Sequence, residues 1–440
     1  MNDAMKYILS LFYALLFCAV ASAQGIITTI AGGGNGGDGV VATQSSLDQV
    51  NDVLVDTSGN VYIAEETAIR KIDVNTQIIS LYAGSYQPGI GCDSCAATTA
   101  KLSHANAIAF DKQGNLYIAD WGSCRIRKVD AVTGIMTTYA GNGTVGYTGD
   151  NGPAKNAQLR YPLDIAFDAN DNLYIADKFY HIRRVDRQTG IITTIGGDGT
   201  QGTWNNGDTA SKTKIGGVGG ICVDGAGNIY FADGNNRKIG KINSQGIITN
   251  YCGNGMFAIN GDGGLAVNAS TLASRKIRLD KNENIYLPDG YVRRINNLTG
   301  IIEAVVGTTS SGFSGDGGPA FQAQLHNPAS AFPDKKNNLF IADQLNYRIR
   351  KVAGLVSVND PKIGVDLLIY PNPSAGIFTV ACSETIRQIE VRSILGQLVY
   401  AGHSSSNKIL IDISHQPSGV YLISVFGEVD VASKKLIINH

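Results

Sequence analysis

Three histidines precede residue 354: His104, His181 and His326. Three neutral imidazoles can hold a catalytic Zn2+ that keeps a fourth position open. They stand at unlike places in the repeating pattern described below, so no common ring of ligands follows, and each also reads as an ordinary polar residue. Cys92 and Cys95 have the spacing of a zinc or redox Cys-x-x-C, but no second such pair completes a zinc set. The same spacing suits a disulfide staple across a turn, or a bond from one of the two to Cys124. Cys222 and Cys252 fall on strands three spacings apart, on the order of 14 Å, beyond disulfide reach. Acidic residues recur in two series: Glu65, Asp120, Asp177, Asp233, Asp289 and Asp343, then Asp38, Asp93, Asp150, Asp208, Asp262 and Asp316. Carboxylates gathered this way could take calcium or a cationic ligand. A residue present in every unit also builds the unit, by accepting bonds from turn N–H groups. No Gly-x-Ser-x-Gly elbow and no phosphate loop with lysine occurs. No cofactor is expected, calcium or zinc being the ions such donors would take; no metal site is assigned, and the chain reads away from an enzyme.

The elements that must position these residues repeat. Asn115-Leu116-Tyr117-Ile118-Ala119-Asp120 returns at 172–177, 228–233, 284–289 and 338–343, with a variant first copy at 60–65. An Asp precedes each Asn by four residues (Asp56, Asp111, Asp168, Asp224, Asp280, Asp334), at spacings of 55, 57, 56, 56 and 54. Each unit reads as four strands of four to six residues, rich in Ile, Val, Tyr and Thr and separated by turn residues. In the second unit these include 116–119, 125–129 and 135–139, and 163–167 opens the next. Six such units predict an all-β, six-bladed β-propeller. The sixth unit has three strands only, about 329–352. The missing one is Gly25-Ile26-Ile27-Thr28-Thr29-Ile30-Ala31-Gly32, so the first strand is expected to close the last blade.

Asn-Leu-Tyr-Ile-Ala-Asp, then Arg-Ile-Arg-Lys-Val-Asp, then Thr-Gly-Ile over 115–135 resembles an NHL repeat, as does the loop Gly315-Asp316-Gly317-Gly318-Pro319-Ala320. The resemblance covers about 24–354 and implies the six-bladed propeller. It implies no single activity, since the family holds protein-binding, RNA-binding, sensor and lyase members. Propellers of the related amidating-lyase type carry a central metal with His ligands, so a lyase or hydrolase with a metal in the channel is the alternative reading.

Strand direction alternates, so the connections between blades share one face with the turns between second and third strands. Four of these connections hold 17 residues between a Gly and an apolar residue: Gly84 to Leu102, Gly141 to Leu159, Gly197 to Ile215, Gly307 to Leu325. Constant length predicts a defined conformation. Both tryptophans fall on this long-loop face, Trp121 after the second strand of blade two and Trp204 in the loop after blade three. Phe179, Tyr180, Tyr347, Tyr147 and Tyr161 are expected near them. Such rings stack on sugars or anchor a protein, or pack the loops onto the ring. Trp121, Phe179, Tyr180, Trp204 and Tyr347 are the candidate ligand-binding residues.

The chain has 53 glycines in 440 residues and is only 17% charged, which suits short strands joined by turns. Its 36 basic and 37 acidic residues leave a net charge of −1, which argues against a nucleic-acid partner. No internal run of 18 apolar residues calls for a membrane span. Lys6, the apolar stretch of 14 residues at 7–20 and Ala21-Ser22-Ala23 read as a signal peptide, 1–23. A lipidated Cys18 is disfavoured by bulky Phe17.

After Lys351 the pattern changes. Residues 355–366 read as a linker, and 367–440 as six or seven short strands of a small antiparallel sandwich. Tyr370-Pro371-Asn372-Pro373, Ile394-Leu395-Gly396, Gly419-Val420-Tyr421 and Lys434-Lys435-Leu436-Ile437 resemble, in that order, the type A C-terminal sorting domain of the type IX secretion system. Ser393 departs from the usual Asp. The resemblance implies a Bacteroidota-type Gram-negative host, passage across the outer membrane, contact with the secretion machinery, and removal of the domain by a sortase-like peptidase. The expected product is a secreted or surface-attached propeller, with no transmembrane segment, that binds an extracellular protein or glycan.

Overall fold

The computed structural model describes residues 25–273, 275–355, 367–382, 385–393, 397–426 and 431–440. The segment 1–23 expected to be a signal peptide, nearly all of the expected linker and the element 394–396 lie outside the described residues. The described residues divide into two compact units, one ending at Leu355 and the other within Val356–His440.

The first unit is a six-bladed propeller. Blade one is built from Asp52–Val55, Val61–Ala64, Ala68–Ile72 and Ile79–Gly84, in that order from the axis outward. Blades two to four follow the same plan from Ala105, Pro162 and Val218. In blade five the innermost strand shrinks to Arg278–Leu279. Blade six has Pro328–Pro333, Leu339–Asp343 and Arg348–Ala353, and its outermost strand is Ile26–Ala31 from the start of the propeller. Ile26 faces Ala353, Thr28 faces Lys351 and Ala31 faces Ile349. The ring therefore closes by a strand from each end, as the incomplete sixth repeat predicts.

Burial explains the composition of each strand. Leu116–Asp120 and its counterparts in blades three to six are buried at every position. A second strand has a blade packed on each face, so it needs apolar residues on both sides. Outer strands such as Ile135–Ala140 mix buried with half-buried positions. The long loops are ordered by a short 3-10 turn that opens on a buried alanine: Ala42, Ala97, Ala154, Ala210, Ala266 or Ala320. In five of them that alanine's carbonyl accepts the N–H of the glycine that starts the loop, as from Gly141 to Ala154 at 2.9 Å and from Gly307 to Ala320 at 2.9 Å. This is the defined conformation that constant loop length implies. Two loops also add an edge strand to the next blade, Cys95–Ala96 on blade two and Gly152–Pro153 on blade three, covering an otherwise open edge.

The second unit packs a three-stranded sheet (Leu368–Tyr370, Ile377–Ala381, Lys408–Asp412) against a four-stranded one (Leu398–His403, Gln388–Ser393, Gly419–Phe426, Val431–Ile438). Phe378, Val380, Ile389, Val391, Ile411, Ile423 and Leu436 fill the core between them. The Tyr-Pro-Asn-Pro element meets the last strand: Asn372 Nδ2 donates to the Lys435 carbonyl at 2.8 Å, and its Oδ1 accepts from Ile437 N at 2.9 Å. Lys434 Nζ donates to the Leu367 carbonyl at 2.9 Å.

Candidate functional site

The recurring acids build the blades. The acid that ends each second strand accepts the backbone N–H of the residue 17 positions earlier, where the long loop arrives: Glu65 from Asp48, Asp120 from Ser103, Asp177 from Arg160, Asp233 from Gly216, Asp289 from Leu272 and Asp343 from His326. The turn acids do the same on the opposite face. Asp56 Oδ1 accepts from the N–H groups of Ser58, Gly59 and Asn60, and its Oδ2 from Asn60 Nδ2 at 2.7 Å. The loop series pairs with arginines of the third strands: Asp38 with Arg70, Asp93 with Arg127, Asp150 with Arg183, Asp262 with Arg293 and Asp316 with Arg350, at 2.6 to 3.0 Å. The outer strand of every blade carries a β-bulge opposite this arginine position, which turns the side chain toward the loop.

Blade four is the exception. Gly240 stands in the arginine's place, and a Cβ there would sit 2.4 Å from the Phe231 ring. The Trp204 ring packs 6.1 Å from Phe231, and its Nε1 donates to Asp233 Oδ2 at 3.1 Å. Asp208, without its arginine, accepts from Asn205 N and Thr213 Oγ1. Trp204 is only 3% exposed. Its expected place among the ligand-binding residues is therefore corrected: it fills the space that a buried arginine fills in the other blades.

The carboxyls under the loops titrate unusually. Burial, opposed by Arg70 and the Asp48 N–H, pushes Glu65 up to about 7. Burial, opposed by the Arg160 N–H and then by Arg183, pushes Asp177 up to about 7, and Asp177 Oδ2 has no partner among the described residues. A carboxyl raised in the folded state binds more protons there than in the unfolded chain. Its stabilising contribution is complete below the ordinary carboxylate range and is lost as pH rises through 7. Asp177→Asn should remove one such group. Relative to the variant, wild type should lose melting temperature between pH 5 and 8, by on the order of 2–4 kcal/mol if converted to stability. Parallel melting curves against pH would refute the assignment.

On the axis, Arg278 Nη1 and Nη2 take both oxygens of Asp164 at 2.8 and 3.0 Å, and Nη2 also reaches Asp52 Oδ2 at 2.8 Å. Asp52 Oδ2 further accepts Ile108 N, and Asp164 Oδ2 accepts Ile221 N. Lys276 Nζ donates to the Asn51 carbonyl, while Gln344 Nε2 donates to Asn51 Oδ1. All six blades thus meet at one polar knot. Burial alone would lower the Arg278 pKa, but Asp164 and Asp52 outweigh it and hold the guanidinium charged. The blade-five segment comes close enough that a Cβ on Gly220 would stand 2.4 Å from the Arg275 carbonyl oxygen. A central metal does not fit this donor set, because the two channel carboxylates already hold Arg278 and Lys276 lies beside them. No group of three or more His, Cys, Asp or Glu among the described residues is placed to hold a metal. His104, His181 and His326 have other surroundings: His104 Nδ1 lies 3.3 Å from Glu66, His181 is buried and stacked on Tyr147 at 5.0 Å, and His326 N donates to Asp343. Beyond the knot the channel opens on the short-turn face as a cavity of about 680 Å³, with Phe110, Phe167 and Phe332 in its wall and Cys222 and Arg278 also lining it.

Cys92 and Cys95 are joined, and Cys124 is a buried free thiol, so the staple forms and the alternative bond to Cys124 does not. Cys222 and Cys252 are free, on the first and fourth strands of blade four.

What remains on the long-loop face is a row of rings. His104, Trp121, Tyr161, Phe179 and Tyr180 follow one another at centroid separations of 5.3, 4.9, 6.0 and 5.9 Å. Trp121 and Tyr161 are inclined by only 32°. All five rings are half-buried. Tyr161 has φ 63°, at the turn position where Gly217, Ala273 and Asn327 also take positive φ. A bulky aromatic there is strained, by on the order of 1–3 kcal/mol, and such strain collects at working sites. Two cations border the row. Lys178 Nζ lies 5.5 Å from the Trp121 centroid and 5.6 Å from that of Phe179, and the Arg160 guanidinium lies 4.4 Å from Phe179. Trp121, Phe179 and Tyr180 are thus brought together, while Tyr347 stands exposed on blade six with no ring partner among the described residues. His104, Tyr161, Arg160 and Lys178 were absent from the candidate set. Their signal was available in the sequence: the position of His104 and Tyr161 carries Gln, Gly, Ala or Asn in the other blades, and no other blade has Lys or Arg where Arg160 and Lys178 stand.

Comparison with known proteins agrees with this architecture. Residues 368–439 match the family model of the secretion system C-terminal sorting domain. Human NHL repeat-containing protein 2 is 32% identical over 150 residues, 32% of this chain and 20% of that protein. The chain spans a quarter or less of the length of these curated relatives. A Bacteroides thetaiotaomicron protein of unknown function has a similar structure, with a TM-score of 0.56 at 19% identity, covering 74% of this chain and 75% of that one. An auxiliary nutrient binding protein from Bacteroides ovatus gives 0.54 at 16%, covering 75% and 76%.

Proposed function

We propose that this NHL-type propeller, directed by its type IX sorting domain to the cell surface or the medium, is a binding module that holds a glycan on the long-loop face. The observation that carries the proposal is the row from His104 to Tyr180. It sets five rings in sequence on two adjacent blades, at turns where the repeat needs none, and one of them sits in a strained conformation. Sugar rings present C–H faces that pack on aromatic faces, while their hydroxyls find polar groups at the edge; Glu66 and His104 supply such groups at one end. The B. ovatus protein of similar fold is described as an auxiliary nutrient binding protein. In this scheme residues 24–354 bind, and 367–440 engage the secretion machinery and are removed by a sortase-like peptidase. Glycan-array screening of the full chain should find a ligand whose binding falls at least about tenfold in Trp121→Ala, with a cooperative melting transition retained. Equal binding by wild type and Trp121→Ala would remove the site from this face.

A further inference from the structure

We propose that the glycan held by this row is acidic, carrying carboxylate or sulfate groups that pair with Lys178 and Arg160. The inference rests on the binding role just assigned and names the ligand class. The third-strand arginines Arg70, Arg127, Arg183, Arg293 and Arg350 each pair with a loop aspartate, and Arg184 pairs with Asp186. Lys178 and Arg160 have no carboxylate within ion-pair distance among the described residues, and each stands over aromatic faces instead. A cation over a ring is held in place by the ring quadrupole and keeps N–H donors free for a second partner. Guanidinium in particular offers a planar pair of donors that fits a carboxylate or sulfate.

These cations stand close together on the long-loop face of blade three, both beside the Phe179 ring. Arg160 lies where the long loop enters blade three, and Lys178 directly follows the Asp177 that caps that loop. Both project from turns next to Tyr161 and Phe179, so a sugar stacked on Trp121 and Tyr161 would bring its substituents to them. The corresponding positions in the other blades are Asp48, Ser103, Gly216, Leu272 and His326 for Arg160, and Glu66, Trp121, Gly234, Gly290 and Gln344 for Lys178. No lysine or arginine occurs among them, so the repeat itself does not require a cation at either place. A general affinity for polyanions is not expected of a chain with net charge −1.

The test is calorimetric titration of the full chain with polygalacturonate and with the same polymer fully methyl-esterified, and with dextran sulfate and dextran. The expected result is binding of the acidic member of at least one pair, roughly tenfold or more tighter than its neutral counterpart and weakened by salt. The double variant Arg160→Met/Lys178→Met keeps the apolar stems and should abolish that preference while retaining the melting temperature. The uronate and sulfate pairs separate the two sources of negative charge. Neutral and acidic polymers bound equally, with Trp121→Ala still impairing both, would overturn the acidic assignment and leave the glycan-binding role standing. Acidic preference unchanged in the double variant would overturn it as well. Binding of none of the four polymers would overturn this inference, while the array screen separately decides the wider role.

Discussion

Arg278→Met should lower the stability of the propeller by about 3–5 kcal/mol, seen as a fall in melting temperature on the order of 10 °C. The side chain is 11% exposed and sits between Asp164 and Asp52, which are 0% and 1% exposed. Removing it leaves two carboxylates facing each other on the axis with only backbone N–H groups and Lys276 for company. An unpaired buried charge costs far more than a pair contributes, because desolvation is no longer offset. The paired control is Arg278→Met with Asp52→Leu and Asp164→Leu, which should recover most of the loss, since apolar residues of similar volume replace buried ion networks with little penalty. A single variant that melts with wild type would show that the knot does not hold the ring.

Deleting residues 25–32 should have a still larger effect. The deletion removes the outermost strand of blade six, its pairing with Arg348–Ala353, the fully buried Ile27 and Ala31, and the bond from Thr29 Oγ1 to Asp316 at 2.6 Å. It also unties the last long loop, in which Ile27 donates to the Gly318 carbonyl and Ala320 N donates to that of Gly25. Loss of a buried isoleucine alone costs about 2–5 kcal/mol, and the broken ladder adds to it, so the total approaches the net stability of a typical domain. The exposed strand edge is then a template for pairing with another chain. The shortened protein should aggregate or melt far below wild type. A soluble product with an unchanged cooperative transition would refute closure by this strand.

The fold was legible because a 56-residue period forces the same turn six times, and each turn declares its chemistry: Asp56 and Asn60 in the first copy close a loop by themselves. The staple at Cys92 and Cys95 was legible because the two cysteines replace turn glycines. The axial knot was not read, although its pattern is visible in retrospect. Four residues before the turn Asp, the blades carry Asp52, Ala107, Asp164, Gly220, Lys276 and Ser330, charged and small residues in alternation, because six inner strands leave no space for six long side chains at one level. Arg278 gives less warning, since its role depends on the shortened first strand of blade five. Trp204 misled for a different reason. Its loop position resembles exposed ones such as Tyr147, and only the distant Gly240 shows that a cavity in blade four awaits a large ring.

That cavity bears on how the six units diverged. Copies of one ancestral segment began with the same packing problem beneath the loop, and five still solve it with guanidinium and carboxylate. The fourth solves it with indole, phenyl and a bare backbone. The two halves of that change go together, since a Cβ at position 240 would stand 2.4 Å from the Phe231 ring. Five blades of the common design surround the altered one in a closed circle. Redundancy of this kind lets one segment of a duplicated protein explore while the others hold the molecule together, and it is the condition under which His104, Trp121 and Tyr161 could accumulate on two segments only.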